Sequence, residues 1–353
     1  MGFTKDRMTE PKSVVAELLQ RDRKAEHIRL ALERQMQFEI HAFEAYEFEH
    51  VALPESALAE IDLSTRFLGR RLQAPLLISC MTGGTEMAAQ INRNLAIAAQ
   101  ATGVALGLGS QRKALEDPSL APTFQVRRFA PSIPLLANLG AVQLNYGYGL
   151  QQCRQAVDMI EADALALHLN VLQEALQPEG QCNFAGLLPK IGQLARALPV
   201  PLVVKEVGCG ISGRVGRALL EQGVRILDSA GLGGTSWARI EARRAGDPSI
   251  GELFADWGLA TPESIRQLRA LPEVTVIGSG GLRNGVEVAK AIALGADLAG
   301  LAQPFLEAAL ETPETVIEKI ERIVRELKIA MLCLGARTVA ELQKVPIRKV
   351  GSP

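Results

Sequence analysis

LALHLNVLQE, residues 165–174, is an apolar run that turns polar within a few positions. The period of two in a strand sends His168 and Asn170 to one face and Leu167 and Leu169 to the other, and leaves Gln173 and Glu174 on the loop beyond. Seven further runs have the same form: LLISCMTGG (76–84), ALGLGSQR (105–112), LLANLG (135–140), LVVKEVG (202–208), ILDSAGLGGT (226–235), VIGSGGLRNG (276–285) and LAGLAQPF (298–305). Eight short apolar runs, each closing in Gly, Ser, Asn, Lys or Gln and separated by segments of helical character, predict an α/β protein built as one TIM (β/α)8 barrel. In that architecture the reacting groups sit where the strands end, so function is read at those eight ends.

The chain has 353 residues, of which a barrel of typical size uses about 250. Hydrophobic residues make up 48% and charged residues 22%, a globular composition with ample material for one large core. With 38 basic and 39 acidic side chains the net charge is −1, so no global field favours nucleic acid or an anionic membrane, and an anion must be bound by local groups. Five widely spaced cysteines (Cys80, Cys153, Cys182, Cys209, Cys333) without a CxxC pair argue against a disulfide framework and a structural zinc. The start MGFTKDRMTEPK lacks an apolar h-region, and no uncharged apolar run reaches the 18 or so residues that span a bilayer. A soluble, reducing, cytoplasmic setting is the expectation.

Along the chain, residues 1–22 read as a flexible arm, 23–345 as a single catalytic domain and 346–353 as a frayed tail. RDRKAEHIRLALERQMQ (21–37) is a charged helix with Ile28, Leu30 and Leu32 as its apolar contributors. The stretch 48–75 has hairpin and loop character, suited to covering a barrel end. Strands are expected near 76–80, 104–108, 134–138, 164–169, 202–207, 225–229, 274–278 and 298–302. Helices are expected near 86–101, 149–161, 186–198, 213–222, 262–270, 284–294 and 314–334, with a less regular connection around 113–130. The segment 231–260 is longer than an ordinary βα loop and carries both tryptophans, Trp237 and Trp257, which marks it as shaping a pocket or a subunit contact.

Two glycine-rich ends late in the barrel point to a ligand. Gly278-Ser279-Gly280-Gly281-Leu282-Arg283 and Gly300-Leu301-Ala302-Gln303-Pro304 close the seventh and eighth runs, where backbone N–H groups and a helix N-terminus form a phosphate cradle in this fold. Either pair alone could be a mere tight turn; together they favour a phosphate-bearing cofactor. Met81-Thr82-Gly83-Gly84, Ser110 and Asn138 add backbone amides and small polar side chains at the same rim, which suits an isoalloxazine ring. Lys205 would place an ammonium at the ring's N1–C2 edge, with a salt bridge to Glu206 as its structural alternative. A carboxylate at Glu174, just outside a site that holds phosphate, suggests Mg2+. Arg23, Lys24 and His27 open the first helix, with Arg23 and His27 on one face, and Arg112 joins them from the second strand end. An exposed basic helix face is the ordinary alternative for Arg23 and Lys24.

The ordered set RKAEH (23–27), MTGG (81–84), GSQR (109–112), ANLG (137–140), HLNVLQE (168–174), VKEVGCGIS (204–212), GLGGTSW (231–237), SGGLRNG (279–285) and AQPFL (302–306) resembles the type 2, FMN-dependent isopentenyl-diphosphate isomerase family over about residues 20–345. The resemblance implies FMN held by Met81, Thr82, Gly83, Ser110, Asn138, Lys205, Thr235, Gly280, Gly281, Ala302 and Gln303. It implies substrate contacts from Arg23, Lys24, His27, Ser110, Gln111, Arg112, His168, Asn170 and Gln173, with Mg2+ on Glu174. One departure is Ala230, where the family often has Ser ahead of its Gly-x-Gly-Gly-Thr segment.

The activity that the resemblance implies is interconversion of isopentenyl and dimethylallyl diphosphate, a net proton transposition without net redox change. Reduced FMN would act as acid and base, with N5 the leading candidate, while Gln173 and His168 assist at the reacting centre and Gln173 chiefly positions. NADPH or NADH would prime the flavin, although no GxGxxG nucleotide domain is evident. The expected assembly is a homo-oligomer, a tetramer or octamer, without nucleic-acid or membrane partners. An FMN-dependent 2-hydroxy-acid oxidase on the same barrel is the runner-up; it needs a base and an arginine in a His-Gly-Gly-Arg-like segment, and the comparable stretch Asp228–Thr235 has no histidine. A non-catalytic flavin- or phosphate-binding barrel is the remaining alternative.

Overall fold

A computed structural model describes residues 23–38 and 42–351; the expected arm, residues 1–22, lies outside them. The eight runs form β1 (Leu76–Ile78), β2 (Ala105–Gly107), β3 (Leu135–Gly140), β4 (Ala164–His168), β5 (Leu202–Lys205), β6 (Ile226–Asp228), β7 (Thr275–Ser279) and β8 (Leu298–Leu301). Each is parallel to its neighbours, and β8 returns to β1 to close the barrel. The seven expected helices appear at Glu86–Thr102, Leu150–Ile160, Leu187–Ala197, Gly213–Glu221, Thr261–Arg269, Gly285–Ala293 and Pro313–Cys333. The irregular second connection is a short helix, Arg112–Glu116, followed by 3-10 turns.

Local chemistry starts and stops these elements. The Thr85 hydroxyl accepts from the Ala88 N–H to begin helix Glu86–Thr102, and Gly103, at φ +66°, ends it in the left-handed region that a side chain resists. Ile91, Leu95, Ala96 and Ala99 recur at helical spacing and bury one face against the barrel wall.

The barrel interior is stratified by the strand period. Leu77, Leu136, Val203, Ile226, Ile277 and Leu298 belong to one buried apolar cluster inside the barrel. Two residues further along the same strands stand Ser79, Asn138, Lys205, Asp228, Ser279 and Gly300, with His168 two beyond Ala166. The interior therefore changes from apolar to polar within one strand repeat, and the polar layer faces the C-terminal ends.

The opposite end is plugged. Hairpin strands Thr65–Phe67 and Arg70–Leu72 push Phe67 and Leu72 into the inner apolar cluster. Arg70 of that hairpin and Arg127 both grip Asp163, which precedes β4, at 2.7 Å each, and the Leu135 N–H donates to the same carboxylate at 2.9 Å. The tail differs from expectation: Ile347–Lys349 pairs antiparallel with Tyr46–Phe48, so the segment ahead of Gly351 is a strand rather than a frayed end. Its partner strand supplies backbone groups that the isolated tail sequence does not reveal. Residues 231–260 fold as helices Trp237–Arg244 and Pro248–Leu253 over the C-terminal mouth. No helix among the described residues is long and apolar enough to cross a membrane.

Burial alone would raise the Asp163 carboxyl, but the Leu135 N–H, Arg127 and Arg70 outweigh it and hold the group below the usual carboxylate range. A depressed folded-state pKa contributes stability above the unfolded value of about 4, lost as pH falls through the folded one. Asp163→Asn is expected to cost about 2 kcal/mol at pH 7, moderated by the partial exposure of Arg70. In urea unfolding the difference from the unmodified chain should shrink toward pH 3; a gap equally large there would remove the ionised carboxylate from the account.

Candidate active site

A cavity of ≈280 Å³ opens above the polar layer. Its floor is the strand ends, and part of its roof is α1 (Arg23–Leu32), which lies across the mouth. Lys24 Nζ donates to the Ser110 carbonyl at 2.9 Å and sits 5.4 Å from the centre of the Phe124 ring. His27 meets Trp237 edge to face at 5.2 Å, with Nε2 3.0 Å from Glu241 Oε1. Beyond α1 the chain stays zipped to the loop after β6, through Phe38 N–H to the Gly234 carbonyl (2.9 Å), Ser236 N–H to the Met36 carbonyl (2.8 Å) and the Thr235 hydroxyl to Gln37 Oε1 (3.1 Å).

Glu241 joins three segments. Its side chain is 0% exposed; besides His27 it receives Gln173 Nε2 at 2.8 Å and Arg244 Nη1 at 2.6 Å. Arg244 reaches on to Glu26 (3.0 Å) and Glu179 (3.2 Å). Burial would raise the Glu241 carboxyl, yet the contacts from His27, Gln173 and Arg244 lower it overall. A buried anion with this many donors is compensated, and it ties α1 and the Gln173 segment to helix Trp237–Arg244.

On the floor, Asn138 Oδ1 lies 2.9 Å from His168 Nδ1. Because a carbonyl oxygen only accepts, Nδ1 carries the proton and Nε2 presents a lone pair. Burial, reinforced by the Lys205 and Lys24 ammoniums, pushes the His168 imidazole down to about 3. Lys205 Nζ donates to the Glu206 carbonyl at 2.5 Å, while the Glu206 carboxylate turns back onto the N–H groups of Val207, Gly208 and Cys209. The expected alternative of a Lys205–Glu206 side-chain bridge is thus not formed.

The glycines after β6 and β7 are backbone-on-backbone contacts. A Cβ on Gly280 (φ +108°) would lie 2.3 Å from the Gly231 carbonyl oxygen, and one on Gly281 (φ +81°) 2.3 Å from the Gly233 carbonyl carbon. Arg283 donates from below to the carbonyls of Gly281 (2.9 Å) and Gly233 (3.0 Å).

Glu174 is buried, with Oε1 accepting from Asn170 Nδ2 (2.9 Å) and Oε2 from Gln177 Nε2 (2.5 Å) and the Gln181 N–H (2.7 Å). Asn170 Oδ1 and Ser79 Oγ, both lining the cavity, are buried without a hydrogen-bond partner. No cluster of three or more His, Cys, Asp or Glu suited to a metal occurs among the described residues.

The structure gathers most of the sequence-derived site. Lys24, His27, Arg112, His168, Asn170, Gln173 and Glu174 line the cavity, as do Met81, Thr82, Ser110, Asn138, Lys205, Thr235, Gly280, Gly281, Ala302 and Gln303. Two residues do not. Gln111 is fully buried in the wall, where its amide donates to the Ala156 carbonyl (2.8 Å) and accepts from the Asn138 N–H (3.0 Å), so its side chain is turned from the expected substrate contact. Gly83 is buried outside the cavity lining, and a Cβ there would fall 1.9 Å from Phe124, so close packing by itself demands a glycine. Arg23 begins α1, and its side chain lies outside the described residues. Sequence reasoning missed Gln37, Asp228, Glu241 and Arg283. Asp228 was findable, since it stands two residues beyond the inward Ile226; Gln37 reaches the cavity only through its bridge to Thr235.

Residues 29–123 and 255–349, together just over half the chain, match the model of the FMN-dependent dehydrogenase family. Curated relatives named isopentenyl-diphosphate delta-isomerase are 52% identical in Nostoc sp. (91% of this chain, 93% of that one) and 52% identical in Synechococcus sp. (94% and 97%). A third, from Rickettsia bellii, is 49% identical over 92% of this chain and 97% of its own. The chain belongs to the isopentenyl-diphosphate delta-isomerase family. Among solved structures, a lactate oxidase of Pediococcus acidilactici is similar at TM-score 0.65 and 16% identity, covering 98% of each chain. A mandelate oxidase variant carrying an FMN adduct is similar at TM-score 0.61 and 17% identity, covering 92% of each. At that identity the oxidases share the fold alone. The oxidase alternative finds no support in the loop after β6 either: Asp228–Thr235 contains no histidine and no arginine.

His168 is expected to stay neutral from pH 8 to 5 in the purified chain, which its imidazole 15N shifts would record as an absent titration. Because the unfolded chain takes up a proton below about 6.5 while folded His168 does not until about 3, its contribution to stability is present above that range and declines as pH falls. A midpoint near 6.5 would show the imidazole to be solvated.

Proposed function

We propose that this family member interconverts isopentenyl and dimethylallyl diphosphate with reduced FMN in the cavity. The observation that carries the reading is the division of one cavity into a small-residue, backbone-lined floor holding Lys205 and a mouth carrying Lys24, His27 and Arg112. A ring fits the floor; an anion fits the mouth. The family match to FMN-dependent dehydrogenases and the isomerase relatives agree with it.

The residues present suit FMN. The close Gly280 and Gly281 turns keep backbone at the surface where a Cβ would intrude, and the unpartnered Ser79 hydroxyl offers an unused donor in the floor. Gly280, Gly281, Ala302 and Gln303 would hold the phosphate, Met81, Thr82, Ser110, Asn138 and Thr235 the ring and ribityl chain, and Lys205 the N1–C2 edge. Reduced FMN supplies the acid and base that move a proton between two carbons of the alkene.

The chain's own part is orientation and charge. Lys24, His27, Arg112 and Ser110, with Arg23 ahead of them on α1, would hold the diphosphate. Gln173 is fixed from both ends, its Nε2 on Glu241 and its Oε1 accepting from Asn170 at 3.1 Å, so it positions rather than relays. The neutral His168 offers an acceptor at Nε2 beside the ring, and a diphosphate above it would offset the two ammoniums that disfavour its protonation.

Mg2+ fits as a substrate-delivered ion. Glu174 supplies one carboxylate and Asn170 Oδ1 an unpartnered acceptor, the rest being water and phosphate oxygens, a pattern usual for this cation. Its chemistry would be to neutralise the diphosphate. NADPH or NADH is proposed as the reductant that primes FMN. Self-association is proposed through the insertion, where Leu253 and Trp257 stand 77% and 63% exposed.

An anaerobic assay with isopentenyl diphosphate, FMN, Mg2+ and dithionite should yield dimethylallyl diphosphate, and air-oxidised protein without reductant should not. No product under reducing conditions, in either direction, overturns the reading. Glu174→Gln should raise KM roughly tenfold and weaken the Mg2+ requirement while leaving the FMN absorption spectrum unchanged. Unaltered Mg2+ dependence would remove Glu174 from the metal.

A further inference from the structure

Three side chains of the polar layer stand on consecutive strands in register, His168 beside Lys205 and Lys205 beside Asp228. Asp228 is 2% exposed. Burial pushes the Asp228 carboxyl up, and what opposes this is the Lys205 ammonium acting through space, the Ser279 hydroxyl on β7 and the Ala230 N–H just beyond its own strand, donors that favour the charged form. Lys205 does not close onto it, because its hydrogen bond goes to the Glu206 carbonyl. Of the neighbouring titratable groups, His168 is pushed down to about 3, burial pushes the Cys80 thiol up to about 11, and the Glu206 carboxyl, also pushed up by burial, is turned onto the N–H groups of Val207, Gly208 and Cys209. Just beneath the floor of the cavity, the Asp228 carboxyl therefore stands beside the Lys205 ammonium on the adjoining strand. The same carboxylate receives the N–H of Ala230 at φ +33°, a conformation that side chains resist, and so braces the loop that leads to Gly231.

We propose that Asp228 is a positioning residue for the flavin site, the buried counter-charge of Lys205, which lowers the reduction potential of bound FMN by offsetting the ammonium at the ring's N1–C2 edge. Two-electron reduction leaves negative charge on that edge, and in a dry floor a nearby carboxylate is little screened. An isolated Lys205 would stabilise the reduced ring more strongly, whereas the pair moderates that pull. The inference rests on the proposed seating of the flavin edge at Lys205.

The test compares the FMN-loaded chain with Asp228→Asn and Lys205→Met, reading the two-electron potential anaerobically against a reference dye with dithionite as reductant, together with the affinity for oxidised FMN. Asp228→Asn should favour the reduced flavin about tenfold, an upward shift of about 30 mV. Lys205→Met should move the potential down. A purely structural Asp228 would weaken binding of both redox states alike and leave the potential where it was. An unmoved potential in Asp228→Asn with a shifted one in Lys205→Met overturns this inference alone. Unmoved potentials in both overturn the seating of the flavin and this inference with it. Where Asp228→Asn fails to hold FMN, Asp228→Ser is read in the same way: an upward shift supports the counter-charge, and no shift overturns it.

Discussion

A closed barrel of eight strands has to fill its own interior, and here it does so with two unlike layers one strand repeat apart. Leu77, Leu136, Val203, Ile226, Ile277 and Leu298 pack the lower layer as a dry core, with Phe67 and Leu72 sealing it from beneath. Because each strand returns to the same face after two residues, the next inward positions stand directly above that core. Those positions are Ser79, Asn138, His168, Lys205, Asp228 and Ser279, none of which would pack well below. The apolar layer thus excludes water from under the polar one, and charges in the floor act at short range in a low dielectric. Lys205 and Asp228 owe their influence to that arrangement.

The mouth is built on a second constraint. Glu241 is an acid with no exposure, and a buried carboxylate is tolerable only when its oxygens are filled by donors. Hydrogen bonds reach it from the segment after β4 and from its own helix, and His27 of α1 stands 3.0 Å from Oε1, so one buried charge draws all three together. Gln173 is oriented by this demand, and His27 is brought to the edge of Trp237. The phosphate end obeys a different logic: the loops after β6 and β7 touch through backbone, and only glycine leaves room for that contact. One end of the cavity is therefore set by charge compensation and the other by the absence of side chains.

The solved oxidases share the barrel and little else. The strands and their order are shared at 16% identity, which is the fold. In this chain the segment Asp228–Thr235 and the helix after it carry Ala230, closely spaced glycines, Trp237 and Glu241. Architecture thus permits the chemistry, and a handful of strand ends chooses it.

By itself the sequence determined the barrel, because eight apolar runs of period two separated by helical segments have few other ways to bury both faces. It determined also which residues stand at the strand ends, since a strand's length and direction carry them there: Asn138, His168 and Lys205 line the cavity as their spacing demands. Contacts between segments distant in the chain were beyond it. Nothing in ARIEARR distinguishes Glu241 from its charged neighbours until α1 and Gln173 are laid against it. Gln111 has the polarity of a ligand contact, yet the carbonyl of Ala156 claims its amide in the wall. Gly83 belongs to a strand end read as suiting a flavin ring, and the Phe124 ring packs where its side chain would be. Strand and helix periods are local properties of the backbone, so sequence carries them. The partner that satisfies a buried polar group is a property of the fold, and only the tertiary structure decides it.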